Sequence, residues 1–544
     1  RRGRSPQEKH MKFYVTTPIY YVNDRPHVGH YYTTMVADVL ARYHRLRGDE
    51  TFLLTGTDEH SLNVDRKAKA EGVPTRDFVD RMAAQWQLTW SQLGISNDDF
   101  IRTTEPRHRA GVEDLVRRVR EAGDIFESTY EGPYCVSCER FYLEKDLVDG
   151  RCPLHPSQEI QHLKERNHFF RLSAFADRLR QHIEEHPDFV QPDERRNEVL
   201  ATINGGLEDF SMSRQSLEWG IPFPDDPEQV VYVWFDALTN YMTAVGYGTD
   251  EAQFRHLWPA DLHLIGKDII RFHAIYWPAM LMSAGLPLPK TVFAHGFLYF
   301  KGRKLSKSEG VMLSPFDLAA ALMPAAAVAA GAEPTPAALD AVRFVLLRHV
   351  PFGRDGDVTY EALVDRYNAD LANDLGNLAS RVLKMLKQYT AGVVPEPGVG
   401  VVGPHAELRE LADGIAERVD AALLALDFAR ALDETWRLVS RANRYVEESK
   451  PWELRKDEAR AAELDTVLYN LTETLRLLTY LMAPYLPWAS EALALQLRIP
   501  PPATVGGEGQ PLAEVLRWGG LKAGHQTVVG DVLFPRLDRV TSEG

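Results

Sequence analysis

The chain has 544 residues, more than one compact core holds at about 100 to 200 residues per domain, so several units are implied. Hydrophobic, charged and aromatic contents of 44%, 26% and 10% exclude a disordered chain. A net charge of −15 excludes a protein that coats nucleic acid by blanket attraction, which needs clustered Lys and Arg; an RNA partner would have to be recognised by shape and a few placed contacts.

Residues 1–10 are basic and lack the apolar segment of a secretory signal, so they are expected to be a tag remnant or a disordered extension. Residues 12–17 are rich in β-branched and aromatic types and predict a strand that ends where Pro18, Asn23, Asp24 and Pro26 mark a loop. From 28 to 46, Met35, Val36, Val39, Leu40, Tyr43 and Leu46 recur at helical spacing, with Gly48 as a stop. A buried strand over 50–55 completes a strand, helix, strand unit, which predicts an α/β class built on a doubly wound, Rossmann-like parallel sheet. Its first half is assigned to 11–120.

A loop-rich, cysteine-bearing insertion over 121–204 interrupts the sheet. The second half, 205–325, carries predicted strands at 230–235, 261–265 and 291–294. An Ala/Pro-rich stretch from 319 to 338 leads into a linker region over 326–365. Helical periodicity from 366 to 500 predicts an α-helical bundle, and 501–544 reads as a polar tail. No apolar run reaches the roughly 18 residues a membrane span needs. Three cysteines are too few for a disulfide scaffold and fit a reducing, cytoplasmic compartment.

All three cysteines fall in the insertion, as Cys135-x2-Cys138 followed by Cys152-x2-His155. Two tight turns supplying four sulfur or nitrogen ligands are the pattern of one closed, structural Zn2+ site. His162 or His168 could replace His155 as the fourth ligand, though neither completes so tight a turn.

Two further motifs concern phosphate. His27-Val28-Gly29-His30 opens the first predicted helix, where unpaired backbone N–H groups and the helix dipole favour an anion, Gly29 permits close approach, and two imidazoles can donate. Gly302-Arg303-Lys304-Leu305-Ser306-Lys307-Ser308 offers a basic, small-residue loop suited to closing over a triphosphate. Either alone is weak: the first could merely cap a helix and the second could be a solvated loop.

Together they resemble the two signatures of class I aminoacyl-tRNA synthetases. The runs from Tyr14 to Asn23, from Thr55 to His60 and from Tyr232 to Ala237, with Gly266-Lys267-Asp268, are similar to methionyl-tRNA synthetases of the bacterial type with a single zinc knuckle. The likeness extends from Met11 to about Pro535. It implies a methionine pocket of Ile19, Tyr21, Asp58, Trp234, Ala237, Leu238, Tyr241, Ile269, Phe272 and His273. Trp234 and Phe272 would cover the side chain, Tyr21 and His273 would bond near the sulfur, and Asp58 would bind the ammonium. Asp58 could also cap the helix beginning near Ser61, a role compatible with the first; the family usually has glycine at Ser61. Arg214 is implied to organise the site around the acidic residue, and Gly266 and Asp268 to join His27, Gly29, His30, Lys304 and Lys307 at ATP.

The implied reaction needs Mg2+ with the nucleotide and no covalent enzyme intermediate, so alignment and charge stabilisation by His27, His30, Lys304 and Lys307 should carry it. The resemblance places the zinc-bearing insertion over the active site, where it helps receive the tRNA acceptor end. Asn377, Arg381 and Trp452 match anticodon-reading positions, with Trp452 stacking on a base. The implied partners are ATP, L-methionine and methionine tRNA, initiator and elongator, with the enzyme expected to be a monomer.

Overall fold

The computed structural model describes residues 11–135, 140–142, 144–153, 156–215, 217–304, 313–398, 400, 403–507 and 509–538. Residues 1–10, Cys138, His155 and Lys307 lie outside these. Strand β1 (Lys12–Tyr21), helix α1 (Val28–Arg47) and strand β2 (Glu50–Asp58) form the expected parallel unit. β1 continues past Pro18, contrary to the expected stop. The register shifts between Thr16 and Ile19, and this irregularity accommodates a residue that has no N–H for the ladder. Gly48, at φ 92°, closes α1 by donating to the carbonyls of His44 and Arg45, a left-handed cap that glycine adopts without strain.

The central sheet has six parallel strands in the order β3 (Asp99–Arg102), β2, β1, Leu262–Gly266, Val292–His295, Val190–Gln191. The order in which strands are added reverses between β1 and Leu262–Gly266, and an open parallel sheet binds ligands outside its carboxyl ends at that point. Tyr21, Asp58, Gly266 and His295 all end strands there; Tyr21 pairs with Asp58 and Gly266 with His295. Alternate residues serve two cores on opposite faces. Val15, Leu53, Phe100 and Leu264 enter one, whereas Tyr14, Leu54, Ile101 and Ile265 enter the other, as period-two side chains must.

The insertion is built on a long antiparallel pair, Ile125–Cys135 with Gln161–Phe170. The chain then rejoins the central sheet at Val190–Gln191, so segment 121–204 contains both the excursion and a strand of the parent sheet. Residues 230–235 depart from the expected single strand. Asp226–Val231 is a strand of a separate three-stranded sheet, and Val233–Leu238 is helical. The apolar run suits either form because nearly all of it is buried, Trp234 alone being partly exposed, which removes the periodicity that would tell them apart. The Ala/Pro stretch is ordered as helices Pro315–Ala321, Ala325–Ala329 and Pro336–His349, the last capped by the Thr335 hydroxyl on Ala338 N–H.

The helical region packs on α1 through helix Pro336–His349. Arg343 and Asp38 form a fully buried ion pair at 2.6 Å, and Arg343 also donates to the carbonyls of Pro484 and Tyr485. The terminal segment, expected as a separate tail, lies across the bundle. Asn368 exchanges two hydrogen bonds with Leu537, and Glu473 accepts from the backbone N–H groups of Gly519, Gly520 and Leu521. Among the described residues no helix is long and apolar enough to cross a membrane.

Candidate active site

His27 is the N-cap of α1, with its Nδ1 accepting from Gly29 N–H at 3.0 Å; His30 Nδ1 accepts from His27 N–H at 3.3 Å. The rings stack with centroids 3.7 Å apart. An imidazole that accepts at Nδ1 carries its proton on Nε2, so in both rings the cap uses Nδ1 and the proton sits on the other nitrogen. Burial, and then the His27 ring, hold His30 well below the ordinary histidine range, which keeps it neutral. The amides expected to meet phosphate are partly used: Gly29 N–H by His27, and Val28 N–H by the Leu313 carbonyl at 2.8 Å. Gly29 also leaves room for the capping ring, since a Cβ there would sit 2.8 Å from His27 Cε1.

The Val28 to Leu313 bond also ties the start of α1 to the segment that follows the second signature in the chain. Lys304 ends the short strand Arg303–Lys304, whose backbone pairs with Leu298–Phe300, and Leu313 follows residues 305–312. The described chain on either side of residues 305–312 is therefore held, at Leu313 against the first residue of α1.

Asp58 is 5% exposed at the carboxyl end of β2. The cap of helix Leu62–Glu71 is not Asp58 but Ser61, whose hydroxyl accepts from Val64 N–H. At φ −98° Ser61 needs no glycine, so the departure from the family leaves the backbone path unstrained. Between them, Glu59 is fully buried and grips Arg102 through both carboxylate oxygens at 2.7 and 3.0 Å, with Thr57 and Thr104 donating as well. Trp219 Nε1 donates to the Glu59 carbonyl at 2.7 Å.

Across the switch point, Trp234 and Phe272 stack face to face, centroids 3.7 Å apart and 1° from parallel. Leu238 and Tyr241 are buried in the core on this face of the sheet, with Ile19 and Ile269 packed against it; Ala237 is also buried. His273 donates from Nδ1 to the Ile269 carbonyl at 3.0 Å, and its Nε2 lies 2.7 Å from the Tyr241 hydroxyl. Burial pushes His273 down to about 4, the Ile269 carbonyl offsetting only part of this. A neutral ring with its proton on Nδ1 must accept from Tyr241, so both ring nitrogens are engaged within the protein. The expected bond from His273 to a substrate sulfur is thus not offered by this arrangement. His263 has the same tautomer: Trp277 Nε1 donates to its Nε2 at 3.2 Å, and Thr16 Oγ1 lies 2.7 Å from its Nδ1.

Arg214 is 6% exposed, which excludes an ordinary surface ion pair. It donates to Ser211 Oγ and the Ser213 carbonyl at 2.8 Å, with its guanidinium 4.2 Å from the Tyr232 ring centroid. Gly266 stands beside Asp268; a Cβ there would lie 2.7 Å from the carboxylate.

In the insertion, Cys135 and Cys152 are fully buried in one small cluster with Tyr142, whose hydroxyl lies 3.3 Å from Cys152 Sγ. Two sequestered thiols beside a hydroxyl that can bond to a coordinated thiolate fit the sulfur half of a zinc site. His168 is taken by Asp226 at 3.0 Å and stacks on Phe223, which removes it as an alternative ligand. On the bundle, Asn377 is exposed at the start of Asn377–Thr390, Trp452 is 36% exposed, and Arg381 pairs with Glu447 at 2.8 Å.

Residues missed from the sequence are Glu59, His60, Arg102, His108, Asp236, His263 and His295. His295 Nε2 lies 2.7 Å from Thr33 Oγ1, tying its strand to α1. Glu59, His60 and Asp236 lay inside the segments that carried the resemblance, but their partners are distant in the chain.

A family model described as tRNA synthetases class I (M) matches residues 13–162 and 155–383, and one for the anticodon binding domain of methionyl tRNA ligase matches 394–543. The methionine–tRNA ligase of Caldanaerobacter subterraneus is 45% identical over 97% of this chain and 79% of its own length; that of Bacillus subtilis is 42% identical over 98% and 79%. Among solved structures, Mycobacterium tuberculosis methionyl-tRNA synthetase in complex with methionyl-adenylate superposes with a TM-score of 0.89 at 43% identity, covering 97% of this chain and all of that one. The apo form of that enzyme gives 0.83 at 41% identity, over 97% and 99%. By these matches over nearly its whole length, with the switch-point site and the helical domain, the chain belongs to the methionyl-tRNA synthetases of class I.

Proposed function

We propose that this chain activates L-methionine with ATP and transfers the methionyl group to the 3′ end of methionine tRNA. A methionine carboxylate oxygen bonds to the α-phosphorus, the bond from that phosphorus to the bridging oxygen breaks, and pyrophosphate leaves. A ribose hydroxyl of the tRNA then bonds to the methionyl carbonyl carbon, and AMP departs with the former anhydride oxygen.

The carrying observation is the Val28 to Leu313 hydrogen bond, which brings the segment following the lysine motif to the first residue of α1. It supports a reading in which the Nε2 protons of His27 and His30 act with Lys304 and Lys307 on one phosphate group. Asp58 would bind the ammonium, the Trp234–Phe272 stack would cover the thioether, and Tyr241, oriented by His273, would shape the floor of the pocket. Gly266 and Asp268 flank the adenosine side. Magnesium accompanies ATP and screens its phosphate charge. Zinc on Cys135, Cys138, Cys152 and His155 would close the knuckle as a structural ion. Asn377, Arg381 and Trp452 would read the anticodon, and a reducing cytoplasm would keep the knuckle thiols available for metal.

Pyrophosphate exchange with a panel of amino acids tests the reading. Exchange is expected with methionine alone; exchange with leucine or cysteine in its place, or with none of the panel, would overturn it.

A further inference from the structure

Outside the groups assigned above, one buried cluster joins three elements of the site. Asp236 is fully buried in helix Val233–Leu238, two residues after Trp234 and one before Ala237. Its Oδ2 lies 2.7 Å from His60 Nδ1, and its Oδ1 lies 2.6 Å from His108 Nε2. His60 follows Asp58 by two residues. His108, fully buried in helix Pro106–Glu121, reaches Thr243 Oγ1 through Nδ1 at 2.9 Å. One carboxylate thus spans the segment after β2, the helix bearing the tryptophan, and a helix of the scaffold.

A carboxylate at this depth is tolerated only when its oxygens are fully bonded. Burial pushes the Asp236 acid up, but the charges and hydrogen bonds of the two imidazoles outweigh it and hold the group below the usual carboxylate range. The rest of the Asp58 segment is fixed on its other side by Glu59 and Arg102. Removing the Asp236 bridge would leave the spacing between Asp58 and Trp234 held from one side only.

We propose that Asp236, bridged by His60 and His108, is a positioning residue that sets the distance between the ammonium carboxylate and the aromatic wall of the methionine pocket. It touches no substrate and acts through Asp58 and Trp234, so this inference rests on their proposed roles. Its effect falls on methionine and not on ATP, because the histidines of α1 are held by their own cap.

The test uses pairs of variants in pyrophosphate exchange. Asn carries an amide at the position of a histidine Nδ1, and Gln at the position of Nε2, so His60→Asn and His108→Gln keep the donor to Asp236 while His60→Leu and His108→Leu remove it. The leucine variants are expected to raise KM for methionine about tenfold, the amide variants to stay within about threefold of the parent, and KM for ATP to move less than about twofold throughout. An unchanged methionine KM in the leucine variants would overturn the proposal, as would a parallel rise in KM for ATP or an equal loss in the amide variants. If a leucine variant does not fold, Asp236→Asn decides: its amide can accept from one ring only, and an unchanged methionine KM there overturns the bridge. Asp58→Asn separates the two levels. If it leaves methionine KM unchanged, the pocket assignment itself fails; if it raises KM while the bridge variants do not, only the positioning role fails.

Discussion

Each ring of the His27–His30 pair accepts a backbone N–H at Nδ1 and is left with its proton on Nε2. Capping and phosphate donation therefore use different atoms of the same residue and can be separated. His27→Asn keeps an acceptor near Nδ1 for Gly29 N–H and removes the distal donor. Its thermal midpoint should match the parent, while kcat for exchange falls about a hundredfold, the scale of losing one preorganised donor; equal losses in both would tie the ring to the fold alone. His273 carries a pH signature. Its folded pKa of about 4 lies below the ordinary 6.5, so the unfolded chain takes up the proton first as pH falls. The stability it contributes is complete above about 6.5, is lost on the way down to 4, and amounts to about 3 kcal/mol acting alone. Thermal midpoints between pH 7.5 and 5.5 should fall in the parent and fall less in His273→Gln; identical slopes would count against the neutral tautomer.

Among elements, β1, α1 and β2 could be read from the sequence because each has one clean period and a turn residue at its end. The switch helix Val233–Leu238 could not, since all of it but Trp234 is buried and its apolar run carries no clear period. The same limit hid the His60, Asp236 and His108 bridge, whose members lie 128 and 176 positions apart and show themselves only when β2, Val233–Leu238 and Pro106–Glu121 are packed. The Cys135 to His155 spacing suggested a knuckle because its members are near neighbours in the chain, of which Cys135 and Cys152 are buried together, while Ser61 looked anomalous until its hydroxyl proved to be a helix cap. The terminal segment had no period, and one carboxylate carries its turn at 519–521, while Asn368 holds Leu537 farther along. Glu473 is fully buried and satisfies three backbone N–H groups at 519–521 as well as Arg476. Glu473→Ala would strand all of them, at a cost of about 3 to 5 kcal/mol. Hydrogen exchange should then show amides 519–521 losing protection before those of helix Ala461–Met482; simultaneous loss would mean that the segment is held by other contacts.

At the scale of the molecule, the catalytic sheet and the helical region share one core, with a polar junction inside it. Asp340 there is pushed up to about 8 by burial, against the pull of Ala489 N–H and Arg343, and its Oδ2 accepts from Ala489 N–H at 2.7 Å. A raised acid contributes stability below its unfolded value of 3.8 and loses it as pH climbs through 8. Asp340→Asn copies the neutral form, so its thermal midpoint relative to the parent should rise between pH 6 and 9; a constant difference would show that Asp340 is already ionised in the fold. The central claim is that the two signature segments form one site at the switch point, shared with the methionine pocket. A crystal structure of the chain with methionyl-adenylate tests it most directly. The account predicts the ammonium against Asp58, the side chain at the Trp234–Phe272 stack, and the phosphate near His27 and His30 beside Leu313. An adenylate bound away from the carboxyl ends of β1 and Leu262–Gly266 would contradict it.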